Sequence, residues 1–452
     1  MTRLHFASAL LPSGWANDVQ VVVTAGAIAA VTPGVAPVAG DERHAIALPG
    51  LASLHSHAFQ RGMAGLAELR GDSTDTFWTW RETMYRFALA MTPDDVVAVA
   101  TLLYIEMLEQ GFTRVGEFHY LHHDRDGSPY ADVGEMATRI VQAAETSGIA
   151  LTLLPSFYAH GSFGGAPPHA GQRRFICSVD QFAALMAASR KAISGLPGAN
   201  IGIAPHSLRA VTPDELKSII PLADGGPVHI HAAEQVKEVE DCLAWSGRRP
   251  VQWLLEHAPV DQSWCLIHAT HTTNEEVIAF AKTGAVAGLC PITEASLGDG
   301  IFPAREFLDA GGTFGVGTDS NVLIGVADEL RQLEYGQRLK HRQRNVLSSG
   351  AARSTGRTLF DHALAGSAQA LAQTTVGLAP GARADIVTLD TAHPSLAGRA
   401  RDAVIDGWIF AAGSGAVDCV WAGGDKVVEG GRHKLRQAAR ERFNASVRRL
   451  VA

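Results

Sequence analysis

The chain has 452 residues, 46% of them hydrophobic and 19% charged, which allows a large buried core and excludes a disordered chain. Its formal net charge of −8 excludes a general affinity for nucleic acid or acidic membranes, which need a basic surface. No apolar run approaches the ~18 residues that span a bilayer. No signal peptide is read in residues 1–14, so the chain is expected to be cytoplasmic.

Residues 1–46 alternate apolar and polar positions between Gly/Pro punctuation, as in the run from Val19 to Thr24, and predict short antiparallel strands. Residues 47–375 change texture. Short apolar runs alternate with helical patterns, which predicts βα units around a parallel sheet. Eight candidate strands end near His55, Tyr120, Tyr158, His206, His231, His268, Thr293 and Asp319. Thr92 as N-cap and Gly111 as stop bound one helix, over 93–110. Residues 376–431 return to strands: one from Ala384 to Asp390, and two more across the Gly423-Gly424 turn. Residues 432–452, rich in Arg, Ala and Leu, predict a closing helix. The expected fold is α/β: a (β/α)₈ TIM-type barrel with a small composite β-sandwich built from both chain ends. Five scattered cysteines, at 177, 242, 265, 290 and 419, predict reduced, buried thiols.

In such barrels chemistry sits at the C-terminal ends of the strands. Nearly every predicted strand ends on a polar side chain able to do chemistry, although histidines number only 19 in the whole chain. His55 and His57 close the first strand at i and i+2, so both imidazoles face one side and can share an ion. Alone, an H-x-H pair is weak. His231, His268 and Asp319 at the ends of strands five, six and eight turn it into a pattern. Glu234, three residues past His231, can overhang that ion as a proton shuttle.

These ligands resemble the amidohydrolase superfamily, over essentially the whole chain. Many members bridge two metals with a modified Lys on strand four. Here residues 201–209 contain none. The resemblance then implies one divalent metal, most readily Zn²⁺, held by His55, His57, His231 and Asp319, with His268 beside the reacting group. Water activated by that metal attacks a C=N carbon. Asp319 and His268 help to deprotonate and orient the water, and Glu234 relays the proton to the leaving nitrogen.

The segment after strand one is long and aromatic and should fold over the barrel mouth as a lid. Phe77, Trp78 and Trp80 suit packing better than stacking on a substrate. Arg81 in that wall, and Arg209 after strand four, suggest a small substrate with two carboxylates, unless each pairs with a glutamate such as Glu82 or Glu117. The stretches around Leu54–Arg61, Phe77–Glu82, Gly116–Tyr120, Phe157–Gly165, His206–Val211, His229–Gln235, Trp264–His271 and Thr293–Gly300 closely resemble the formimidoylglutamate deiminase family. That resemblance implies hydrolysis of N-formimidoyl-L-glutamate to N-formyl-L-glutamate and ammonia, by a cytoplasmic homodimer. It also implies that Gln60, Arg81, Tyr120, His206 and Arg209 hold the glutamate part. Ser53 and Ser296 stand where Asn is expected, and Asn321 where His is expected. Competing readings are a guanine or chlorotriazine deaminase, whose flat ring gains nothing from two arginines, and a non-catalytic barrel.

Overall fold

Eight parallel strands close into a barrel in the computed structural model, which describes residues 1–69, 75–348 and 353–452. The strands are Leu51–Ser56, Phe112–His119, Ala150–Phe157, the broken pair Asn200–Ile201 and Ala204–Pro205, Val228–Ala232, Trp264–His268, Val286–Leu289 and Thr313–Val316. Neighbours pair in parallel throughout, in two runs. Single parallel bridges join the runs: Ile203 and Ser207 to strand five on one side, Ser56 to Asp319 on the other. Strands two, three, five, six and seven are buried along their whole length, as expected of strands covered by helices outside and packed side chains within.

Two expected strand ends shift. Strand seven stops at Leu289, and Thr293 lies on the short helix Pro291–Leu297. Pro291 has no N–H for a ladder and fits the first turn of a helix, which ends the strand there. Strand eight stops at Val316, three residues before Asp319. The helix after strand one runs Pro93–Glu109, capped by reciprocal bonds between Thr92 and Asp95, with Gly111 at φ 92° beyond its end. The supposed lid loop contains the helix Phe77–Ala90, capped by Thr76; residues 70–74 of that segment lie outside the described residues.

Both chain ends form one eight-stranded sheet. Strand Glu42–Pro49 is its seam, parallel to Thr2–Leu11 on one side and antiparallel to Ile386–Leu389 on the other. The sheet curls until Ala27 bridges Arg383. Phe6, Val19, Val21, Ile386 and Trp421 fill the fold between its halves. Residues 432–433 add a last short strand, so the closing helix starts later than expected, at Arg436, and runs to Val451. All five cysteines are free and buried. Among the described residues no single helix is long and apolar enough to cross a membrane.

Candidate active site

Every sequence-predicted metal ligand reaches one point at the barrel mouth. His55 Nε2 lies 3.2 Å from His231 Nε2. Asp319 Oδ1 lies 3.4 Å from both His55 Nε2 and His57 Nε2. Backbone carbonyls fix two of the rings: His57 Nδ1 donates to Phe118 O at 2.9 Å, and His231 Nδ1 to His206 O at 2.8 Å. Each ring therefore carries its proton on the far side and presents an Nε2 lone pair to the centre. Burial pushes all three imidazoles below their ordinary pKa, His55 to about 3, so they stay neutral. Burial would raise Asp319, but its hydrogen bond to His55 and the surrounding imidazoles hold it well below the carboxylate range. Three neutral nitrogens within 4.8 Å of one another, with the Asp319 carboxylate 3.4 Å from two of them, are a donor set that fits a divalent first-row metal.

Backbone conformation helps to aim these groups. Ala233, His268, Ala269, Asp319 and Asn321 all have φ between 45° and 69°, a left-handed region that non-glycine residues enter reluctantly. The turns swing His268 and Asp319 off the strand direction at the mouth. Asn321 holds strands one and eight together there. Its Nδ2 donates to Ser56 Oγ, His57 O and Asp319 O, and its Oδ1 accepts from Thr318 Oγ1. Ser53 Oγ meets Thr318 Oγ1 at 3.2 Å in the same seam, while Ser296 is exposed.

Around the centre stand five further ionisable groups, His268, Glu234, Glu294, Arg209 and Glu238. His268 Nδ1 donates to Glu294 Oε1 at 3.3 Å, and its Nε2 lies 3.8 Å from Asp319 Oδ2 and 3.7 Å from Glu234 Oε1. Burial alone would lower its pKa; the Glu234, Glu294 and Asp319 carboxylates overcome that and push it up to about 10. Glu234 is raised by burial, against the pull of His268 and Arg209. Arg209 Nη2 reaches Glu234 Oε2 at 3.3 Å and Glu238 Oε2 at 4.0 Å. Glu238 in turn accepts the backbone N–H groups of Ala233 and Glu234, fixing the turn that carries Glu234.

The pocket over this centre is lined by Gln60, Arg81, Tyr120, His206, Arg209 and Glu234. Gln60 Nε2 donates to Tyr120 OH at 2.9 Å, and its buried Oε1 has no partner among the described residues. Arg81 stacks 4.5 Å over Trp78, and among the described residues its Nε has no acceptor and its guanidinium no ion pair. Neither arginine pairs with the glutamates suggested from sequence. Glu117 instead accepts from Ala58 N and Tyr104 OH, and Arg209 meets Glu234. Phe77 and Trp80 of the lid helix line the pocket. Sequence reading missed Tyr85 and Phe175 in that wall, and Tyr158, noted only as a strand end. It also missed Glu294 and Glu238, whose roles depend on turns invisible in the pattern.

Comparison with known proteins bears on the family and the fold. Residues 46–427 match the amidohydrolase family, and residues 1–45 match the N-terminal domain of formimidoylglutamate deiminases. A formimidoylglutamate deiminase of Pseudomonas aeruginosa is 51% identical, over 96% of each chain. The crystal structure of an amidohydrolase from Brucella melitensis superposes with a TM-score of 0.97 at 57% identity, covering 100% of both chains. An atrazine chlorohydrolase from Arthrobacter aurescens, complexed with zinc, shares the fold alone, with a TM-score of 0.84 at 22% identity over all of both chains.

Proposed function

The chain belongs to the amidohydrolase family, and from that membership we propose that it is a formimidoylglutamate deiminase, hydrolysing N-formimidoyl-L-glutamate to N-formyl-L-glutamate and ammonia. The observation that carries this reading is the placing of two guanidinium groups, Arg81 and Arg209, in one pocket with a buried His/Asp cluster. A neutral ring would leave Arg81 without a counter-charge, whereas a dicarboxylate supplies one, its second carboxylate meeting Arg209 beside Glu234.

We assign the substrate's carboxylates to Arg81 and Arg209, with Gln60, Tyr120 and His206 adding hydrogen bonds. The aromatic wall of Phe77, Trp80 and Tyr85 keeps solvent from the amidine, which strengthens every charge interaction inside. His55, His57, His231 and Asp319 would hold one Zn²⁺, which supplies a Lewis acid that makes water nucleophilic near neutral pH. Asp319 and His268 orient the attacking oxygen, and protonated His268 steadies negative charge that develops on it. Glu234 takes the water's proton and returns it to the departing nitrogen. A carboxylate whose pKa is raised by burial suits both halves of that transfer. As the C–N bond breaks, the proton of the added OH also passes through Glu234 to the departing nitrogen, so that oxygen becomes the formyl oxygen and the =NH group, now carrying both protons of the water, leaves as ammonia.

On the same family ground we place the reaction in histidine degradation, in the cytoplasm, catalysed by a homodimer. On the strand order described above we propose a division into a β segment over 1–46, a barrel over 47–375, a second β segment over 376–431 that the strand at 432–433 extends, and a helix from Arg436 to Val451. Ammonia release by zinc-loaded protein from N-formimidoyl-L-glutamate, compared with guanine and cytosine, tests the reading. Turnover is expected with the linear amidine alone, and faster release from guanine would replace it with a ring deaminase.

A further inference from the structure

At the end of the barrel opposite the active site, the strand starts and the curled sheet enclose a second cavity, of about 350 Å³. Its walls are Gly50 and Thr113 at the starts of strands one and two, Asn200 on strand four, the 371–377 turn, and Arg383 and Asp385 from the sheet. Arg114 also lines it.

Arg114 is 6% exposed, and among the described residues it has no ion pair. Its Nη1 donates to Leu151 O and Thr152 Oγ1 at 3.4 and 3.3 Å, and its Nη2 to Gly198 O at 2.9 Å. Its Nε is shielded from solvent and has no acceptor among the described residues. Arg383 comes close to the same place. A Cβ on Gly198 would stand 3.5 Å from Arg383 Nε and 3.9 Å from Arg114 Nη2. The carboxylate present is Asp385, bonded to Arg383 Nη1 and to Gly423 N. Two guanidiniums against one carboxylate leave an excess positive charge at a largely buried point of a protein whose net charge is −8. Burying an unbalanced cation is costly unless a counter-ion offsets it. Burial brings Arg114 down to about 10; the pull of Asp385 opposes that drop, and the charge of Arg383 adds a smaller push in the same direction as burial.

We propose that this cavity is a binding site for a small oxyanion, remote from the catalytic pocket. Arg114 and Arg383 form its cationic floor, and Asn200 and Thr375 stand at its wall. Guanidinium groups favour planar or tetrahedral oxyanions over a halide, because paired N–H donors match paired oxygens. The site is separate from substrate recognition, and its test stands or falls without the deiminase assignment.

The experiment is calorimetric titration of the metal-loaded protein with phosphate, acetate and chloride at constant ionic strength. The wild type should bind one phosphate per chain, at least tenfold more tightly than chloride. A preference for acetate over phosphate would assign the site to carboxylates rather than phosphates, within the same proposal. Arg383→Gln should weaken phosphate binding at least tenfold. Because Arg383 also bonds Asp385, Thr375→Asp provides an independent variant: residue 375 is exposed, and a carboxylate there should repel the anion without disturbing the core. Arg81→Met should leave phosphate binding unchanged. No binding above that of chloride, or binding lost in Arg81→Met and kept in both other variants, would overturn the proposal.

Discussion

Arg81 and Arg209 look equivalent in sequence, yet their surroundings predict different behaviour. Arg81 is held by aromatic faces alone among the described residues, so its charge is free for a substrate carboxylate. Leaving that carboxylate unpaired in a buried pocket costs ~2–5 kcal/mol. Arg81→Met should therefore lower kcat/KM for N-formimidoyl-L-glutamate by ~10²-fold or more, while turnover of formamidine, which has no carboxylate, stays near wild type. Equal losses on both substrates would mean that Arg81 supports the fold rather than recognition. Arg209 also contacts Glu234, so Arg209→Met should slow formamidine as well, by leaving Glu234 harder to ionise. Neither variant should release the metal. Glu234→Gln keeps the hydrogen-bonding shape but not the proton, and should lose ~10²–10⁴-fold in turnover with metal content and substrate affinity retained. Near-normal turnover in that variant would remove Glu234 from the chemistry. The cluster of His55, His57, His231 and Asp319 was legible in sequence because a short spacing and strand ends point to it. Glu294 and Glu238 were not, since each acts through a turn whose direction no linear pattern encodes. The nearest available signal for Glu294 was its place four residues after Cys290, whose N–H it accepts at 2.9 Å.

Hydrophobic period and capping residues revealed most of the elements. Thr92 with Asp95, and Thr212 and Thr273 with the glutamates three residues on, mark helix starts that any reader of the chain could find. The lid helix was harder to see, because an aromatic-rich stretch from Phe77 to Phe87 reads equally well as a packed loop. The early ends of strands seven and eight escaped for a related reason: polar residues mark the mouth of the barrel, not the last ladder bond. Close packing between elements leaves its own signature. Helix Thr355–Ala370 lies directly against strand Thr313–Val316, and a Cβ on Gly366 would sit 1.9 Å from Phe314 O. Gly366→Ala must push helix and strand apart. Overpacking of this kind typically costs ~1–3 kcal/mol. Urea unfolding should show a loss of that size; an unchanged midpoint would mean that the helix docks more loosely than this contact implies.

For the whole molecule, buried histidines outside the His/Asp cluster set a limit in acid. Burial lowers His119 to about 3 and His229 to about 4, the latter bonded through Nε2 to Ala370 O at 2.7 Å. Folded, they stay neutral; unfolded, they gain protons below their ordinary pKa of 6.5. Their contribution is intact above pH 6.5 and is lost as pH falls from there toward 4, at up to ~1.4 kcal/mol per pH unit for each group. Denaturant midpoints measured from pH 7.5 to 4.5 should fall accordingly, and His229→Gln should flatten part of the slope; an unaltered slope would assign the loss to other groups. With no lysine among residues 200–209, one tightly held divalent ion per chain is expected. Elemental analysis giving two per active chain would make His268 a ligand. The sheet built from both termini has a temporal consequence as well. Strand Glu42–Pro49 leaves the ribosome more than 330 residues before Ile386–Leu389, the partner of its second edge. Throughout synthesis of the barrel that edge has unfilled backbone donors and acceptors, open to any passing strand. The β layer can be completed only after the whole barrel has been synthesised, which makes the nascent chain's exposure to mispairing a matter of elongation time and chaperone cover rather than of final stability.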